Sequence, residues 1–171
     1  MNRKSVLLLL LAVAATARTA HAQIAAGISI TGQNLSQYYT PGASEWIYGP
    51  TISLQDEHGH ILKLGGDLRA SFLRRDGVGV NSFAVGPRAS FKLPVVPIRP
   101  YAEVLIGVIG VRSTNTGPFT THVEYQYVFG VDHAVLPHVD WRVLEYSHGG
   151  VINSSEDKRD QLSTGLIFRF F

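Results

Sequence analysis

Leu166-Ile167-Phe168-Arg169-Phe170-Phe171 closes the chain. Counting back from Phe170 by twos gives Phe168, Leu166, Thr164 and Leu162, with Arg169, Gly165 and Ser163 alternating between them. A period of two marks a strand with one apolar face. The last residues of a chain are usually frayed and polar. An aromatic ending therefore predicts a final strand held against apolar surroundings.

The other end carries Asn2-Arg3-Lys4, an apolar run from Val6 to Ala15, and Ala20-His21-Ala22 before Gln23. Basic, apolar and small-x-small in that order predict a secretory signal peptide over residues 1–22, cut after Ala22. The apolar run is shorter than the roughly 20 residues a spanning helix needs. What remains, residues 23–171, reads as one domain. With no cysteine in the chain, a lipoprotein anchor and disulfides are both excluded.

Charge changes meaning once the signal is set aside. The full chain has 15 basic and 13 acidic residues, and Arg3, Lys4 and Arg18 lie in the signal. The mature chain then holds 12 basic residues against 13 acidic, a net charge of −1. The pI of about 9.0 is largely a property of the signal and gives no basis for a nucleic-acid partner.

Between the two ends the period of two recurs in eight segments. Ile24, Ala26, Ile28 and Ile30 form the first apolar face, and Trp46, Tyr48, Ile52 and Leu54 the second. The third is the clearest: Leu62, Leu64, Leu68, Ala70 and Phe72 against Lys63, Gly65, Asp67, Arg69 and Ser71. Phe83 to Leu93 alternates with Ser82, Ala84, Gly86, Arg88, Ser90 and Lys92. The fifth segment, Tyr101 to Arg112, is apolar on both faces except for Glu103. Val123 to Val131, His138 to Ser147 and the terminal segment complete the set. Residues 56–60, 94–100 and 132–137 read as compact turns. Residues 32–45, 74–81, 112–119 and 148–160 read as four longer surface loops. Even strand number, with short turns at one end and longer loops at the other, predicts a closed eight-stranded antiparallel up-and-down transmembrane barrel. Both termini would then lie on the periplasmic side.

A secreted lipocalin-like barrel has the same strand count but the opposite faces. The polar faces decide between them. They carry Lys63, Arg69, Arg88, Lys92, Arg142 and Arg169 against Asp67, Glu103, Glu124, Asp140 and Glu145. That near balance suits charges pairing inside a narrow lumen, where an unpaired charge is costly. The same faces are rich in Gly, Ala and Ser, which fit a small barrel's interior. Only 16% of residues are charged, too few for the surface of a secreted soluble domain. Trp46, Tyr48, Phe72, Phe83, Phe119, Trp141 and Phe170 sit near segment ends, as interfacial girdles do.

The alternating segments and the aromatic ending resemble the small outer-membrane β-barrel family, the OmpA-like and OmpX-like proteins of Gram-negative bacteria. The resemblance is one of pattern over the whole mature chain. It implies a bacterial outer-membrane location, contact with outer-membrane lipids, and assembly by the barrel-assembly machinery reading Leu166, Phe168, Phe170 and Phe171. In this chain the signal is shifted by one residue, with Phe171 trailing. No peptidoglycan-binding domain is expected beside the barrel, so the wall-tethering role of longer relatives is not implied. The expected role is non-enzymatic: envelope integrity or surface recognition through the loops, as a monomer without a cofactor. A narrow channel for small or apolar solutes is the alternative, and a lipid A-modifying enzyme a second.

Several local features sharpen these expectations. Gly49-Pro50 and Gly86-Pro87 fall in strands that run the same way, where proline should mark a strand start, bulge or bend. The seventh segment breaks its own period, and a bulge near Val143-Leu144 would turn Arg142 and Glu145 inward together. His58 and His60 flank Gly59 in a turn and do not suggest a metal site. Ser147-His148-Gly149-Gly150 departs from the His-x-Ser-Asn arrangement of the lipid A deacylases. Neighbouring side chains on a strand also face opposite ways, so Ser147 and His148 should not meet.

Overall fold

The computed structural model describes residues 23–34, 46–112, 117–152 and 158–170. The expected signal peptide with its cut after Ala22, residues 35–45, 113–116 and 153–157 of the expected loops, and Phe171 lie outside the described residues. Eight strands follow one another: β1 (Gln23–Asn34), β2 (Trp46–His58), β3 (Leu62–Arg75), β4 (Val78–Phe91), β5 (Ile98–Arg112), β6 (Thr120–Leu136), β7 (Val139–Val151) and β8 (Lys158–Phe170). Each pairs antiparallel with the next, and β8 pairs back with β1 to close the barrel. Closure leaves no strand edge, the only sheet arrangement that satisfies its backbone in lipid.

The register fixes the shape. Cα partners run from Gln23 through Glu57, Gly65, Arg88, Glu103, Val128, Ser147 and Gln161 to Gln33, ten residues further along β1. A stagger of this size over eight strands tilts them roughly 35–45° from the barrel axis and leaves a bore that side chains fill.

The two faces separate cleanly. Leu64 is 57% exposed on the outer wall, whereas Asp67 is 1% exposed in the lumen. Val85, Val123, Tyr127, Phe168 and Phe170 are exposed outward with it, and Arg69, Arg88 and Glu124 are buried inward. Apolar outside and charged inside is the reverse of a soluble barrel and suits hydrocarbon surroundings.

Several strands run beyond the apolar alternation. The expected loop at 74–81 is instead a two-residue turn, Asp76-Gly77, between β3 and β4. Both residues have positive φ, 45° and 87°, the type I′ geometry that Asp-Gly favours in hairpins. Three longer connections therefore remain at the loop end, not four. At the other end, β6 continues to Leu136, and the turn is Pro137-His138 with His138 at φ 68°. The expected turn at residues 132–137 thus lies mostly inside a strand.

Each Gly-Pro pair breaks a ladder without starting a strand or making a bulge. β2–β3 pairing stops after Tyr48↔Arg74 and resumes at Thr51↔Ser71, and β4–β5 pairing stops after Val85↔Ile106 and resumes at Arg88↔Glu103. Proline supplies no N–H to the ladder. A Cβ on Gly49 would fall 2.0 Å from the Phe72 carbonyl oxygen, and one on Gly86 1.9 Å from that of Val104. Glycine is therefore what lets the neighbouring backbone bend in at these points.

In β7, Asp132 pairs with Arg142 and Val131 with Leu144, so Val143 is the extra residue of a bulge. Val143 and Leu144 both face out, and Arg142 and Glu145 both face in.

Substitutions should sort by parity. Leu68→Arg places a charge on the outer wall and should cost about 2–4 kcal/mol near a bilayer midplane. Folding titrations into lipid vesicles check this. A Leu68→Arg protein that folds as well as the parent would contradict the outward face.

Candidate functional site

The parity of five strands brings three guanidiniums and three carboxylates to one level of the lumen. Arg69 of β3 donates from Nη1 to Glu145 at 3.0 Å and from Nη2 to Glu103. Arg88 of β4 donates to Glu103 from Nη1 and to Asp132 from Nη2, the latter at 2.9 Å. Arg142 of β7 donates from Nε to Asp132 at 3.2 Å, and its Nη1 stands 3.0 Å from Glu145. The contacts close on themselves as a ring of alternating charge: Arg69, Glu103, Arg88, Asp132, Arg142, Glu145. The Val143 bulge makes this possible, because residues three apart on a regular strand face opposite ways.

Tyr101 of β5 packs against the ring. Its hydroxyl donates to Glu145 at 2.6 Å, and the guanidinium carbons of Arg88 and Arg142 lie 3.6 and 5.0 Å from its ring centroid. The opposing position on β6 is Gly130, where a Cβ would come within 2.3 Å of the Tyr101 hydroxyl. A glycine there makes room for the aromatic ring.

Further layers fill the bore on both sides. Toward the terminal end, Glu57 accepts from Arg88 at 2.8 Å and stands 3.8 Å from Lys63 and 3.6 Å from Arg99. Asp140 accepts from Arg169 and lies 3.6 Å from Arg99. Asp67 accepts from Arg69 and from Gln55, each at 2.9 Å. Toward the loop end, Arg159 donates to Glu124 at 2.8 Å. A hydroxyl chain links Ser163, Thr31, Thr51 and Ser71. Beyond it Ile47, Leu73, Val80, Ile109, Val111 and Val151 form a buried apolar cluster in the lumen. Burying ions costs several kcal/mol each unless they are paired and hydrogen-bonded. Here each ring member has at least two opposite partners.

The lumen network differs from the expected one in its membership. Lys63, Asp67, Arg69, Arg88, Glu103, Glu124, Asp140, Arg142, Glu145 and Arg169 all face inward, but Lys92 lies beyond the end of β4 and is exposed. Phe91 is the last residue of β4, although the Lys92 N–H still donates to the Ile61 carbonyl at 2.8 Å. Glu57, Arg99, Asp132 and Arg159 fall in segments whose sequence reads as turn or loop, and are buried lumen residues instead. Each keeps the inward parity of its strand into a segment whose composition reads as turn or loop. Asp132, for example, continues the series Glu124, Gln126, Val128, Gly130. Extending the parity count by two residues would have found all four.

A second polar group sits on the outer wall at the loop end. Asp160 of β8 accepts from the Tyr146 hydroxyl at 2.6 Å and contacts His148 Nδ1 at 2.9 Å. Ser147, between Tyr146 and His148, points into the lumen and donates to Gln126 at 3.4 Å. His148 and Asp160 thus form a dyad, but Ser147 is on the other side of the wall. Among the described residues no cluster of His, Cys, Asp or Glu could hold a metal ion.

No family model and no curated protein matches the chain in sequence. Among solved structures, Neisserial surface protein A superposes with a TM-score of 0.59 at 19% identity, over 87% of this chain and 97% of that one. Ail, the attachment invasion locus protein of Yersinia pestis, gives 0.54 at 12% identity over 87% and 97%. The outer membrane enzyme PagL gives 0.51 at 16% identity over 85% and 98%. At these identities the likeness is one of fold: this chain has the fold of the small eight-stranded outer-membrane barrels. Because a surface protein and an enzyme share it, the fold alone assigns no activity.

Arg69→Met should cost about 3–5 kcal/mol in denaturant titrations, since Asp67, Glu103 and Glu145 each lose a buried partner. For the separate Arg159–Glu124 pair, replacing both with Met should cost less than the two single changes added. Gly130→Ala should cost about 1–3 kcal/mol by crowding Tyr101. A neutral Gly130→Ala would show that Tyr101 is free to move.

Proposed function

We propose that this chain is a monomeric, non-enzymatic protein of the bacterial outer membrane, whose barrel anchors extracellular connections for envelope integrity or surface recognition. The observation that carries the reading is the filled lumen. The closed charge ring, with an apolar layer above it, occupies the bore where a channel would need water. The termini and the compact turns then belong on the periplasmic side. The connections after β1, β5 and β7 face outward and carry any recognition. Export by the signal peptide over residues 1–22 and assembly through the outward aromatic residues of β8 complete the proposal. The barrel needs no cofactor for this role.

The channel reading requires the ring to open. Planar-bilayer recordings should show no steady conductance for the parent protein. Steady openings that vanish on lumen-blocking substitutions would overturn the anchor reading.

The enzyme reading draws on one specific observation, the His148–Asp160 dyad on the outer wall. Against it, Ser147 is turned away, so the dyad lacks the adjacent nucleophile that an acyl-transfer triad uses. Cells expressing the protein should keep their lipid A fully acylated. Deacylated lipid A that disappears with His148→Ala would overturn the non-enzymatic assignment.

A further inference from the structure

Two arginines stand on the outer wall at the loop end, above the apolar belt. Arg74 on β3 has the outward parity of Phe72, and Arg112 on β5 that of Val108 and Gly110. Gly79 of β4 lies between them and pairs with both. With no side chain at Gly79, Arg74 can lie flat: a Cβ there would sit 3.3 Å from its Cδ, Nε and Cζ atoms. Phe119 lies over Gly110 in the same way, 3.3 Å from where a Cβ would be. The guanidinium carbons of Arg74 and Arg112 are 5.7 and 5.0 Å from the centroid of that one phenylalanine ring.

The donors around this ring are under-used. Arg74 donates from Nη1 to the Leu73 and Val80 carbonyls at 2.7 and 3.2 Å. Arg112 Nε is a donor buried with no hydrogen-bond partner. Among the described residues neither arginine has a carboxylate within 4.0 Å, although Arg75 beside them has Asp76. Two like charges gathered on one ring repel unless an anion lies between them. Guanidiniums bind phosphate oxygens through paired N–H donors. Directly below lie Phe72, Phe83 and Val108, exposed on the outer wall. A group that meets the arginines at this depth therefore has its apolar part in hydrocarbon.

We propose that Arg74 and Arg112 form a binding site for the phosphate of an anionic membrane lipid, with its acyl chains lying over Phe72, Phe83 and Val108. The site rests on the membrane placement proposed above. Phe119 gathers the two guanidiniums about one ring, and Gly79 and Gly110 let Arg74 and Phe119 lie flat against the wall.

The test is native mass spectrometry of the full mature protein in phosphatidylcholine nanodiscs containing a minor fraction of phosphatidic acid. The parent protein should retain phosphatidic acid well above its bulk share. Arg74→Gln/Arg112→Gln should lose about tenfold of that preference, which corresponds to about 1.4 kcal/mol. Lys92→Gln/Lys158→Gln, with the same loss of charge, should keep it. Arg112→Gln alone should show an intermediate loss, and it serves if the double variant does not fold. Retention at the bulk ratio, or a preference that survives the double variant, would overturn the site. Inorganic phosphate added in lipid-free zwitterionic detergent provides a further arm. If it shifts the arginine side-chain resonances while phosphatidic acid is not enriched, a small-anion site replaces the lipid one. A parent protein that fails to enter nanodiscs at all would count against the membrane reading itself.

Discussion

The structure depends on a ring of three arginines and three carboxylates that closes inside the barrel. A bore this narrow excludes bulk water, so an inward charge has to be neutralised by another side chain. Arg69, Arg88 and Arg142 each bridge two acids, and Glu103, Asp132 and Glu145 each bridge two arginines. No member can be removed without leaving at least two others short of a partner. That mutual dependence ties five of the eight strands together through their side chains, in addition to the backbone ladders.

The ring sets demands on its surroundings that explain otherwise scattered residues. Arg142 and Glu145 reach the same lumen level only because Val143 is extruded as a bulge. Tyr101 fits over the guanidiniums only because Gly130 has no side chain. The flanking acids Asp67 and Glu57 take up arginine donors that the ring leaves over, and Glu57 also faces Lys63 and Arg99. Charge thus decreases outward from the ring into half-buried residues at the terminal mouth and an apolar layer at the loop end.

The outer wall obeys the opposite rule, and its exceptions are informative for the same reason. Polar groups that face hydrocarbon are expensive, so those on the outer wall collect near the strand ends, Asp56 and His58 at the terminal end among them. At the loop end, Asp160 is satisfied by His148 and Tyr146. Arg74 and Arg112 have no comparable acid among the described residues. One cluster is electrostatically complete within the protein. The other is completed by a partner from the membrane in the proposal above.

The sequence by itself determined the strand number, the antiparallel order and which face of each strand is apolar. A period of two is set locally, residue by residue, and the near balance of inward charge says which face can be enclosed. It also located the β7 bulge, because Arg142 and Glu145 could not otherwise share a face. Strand ends were a different matter. Once the outer face leaves the apolar belt, its residues turn polar although pairing continues, so Glu57, Asp132 and Arg159 read as turn or loop residues, and Arg99 does so because Pro97 and Pro100 flank it. Residues 74–81 read as a longer loop, because the residues around Asp76-Gly77 are polar. Only the tertiary structure decided which charge meets which. That choice depends on the ten-residue stagger around the barrel, which brings residues from five strands to one height. Stagger is a property of the closed ladder, and no single strand carries it.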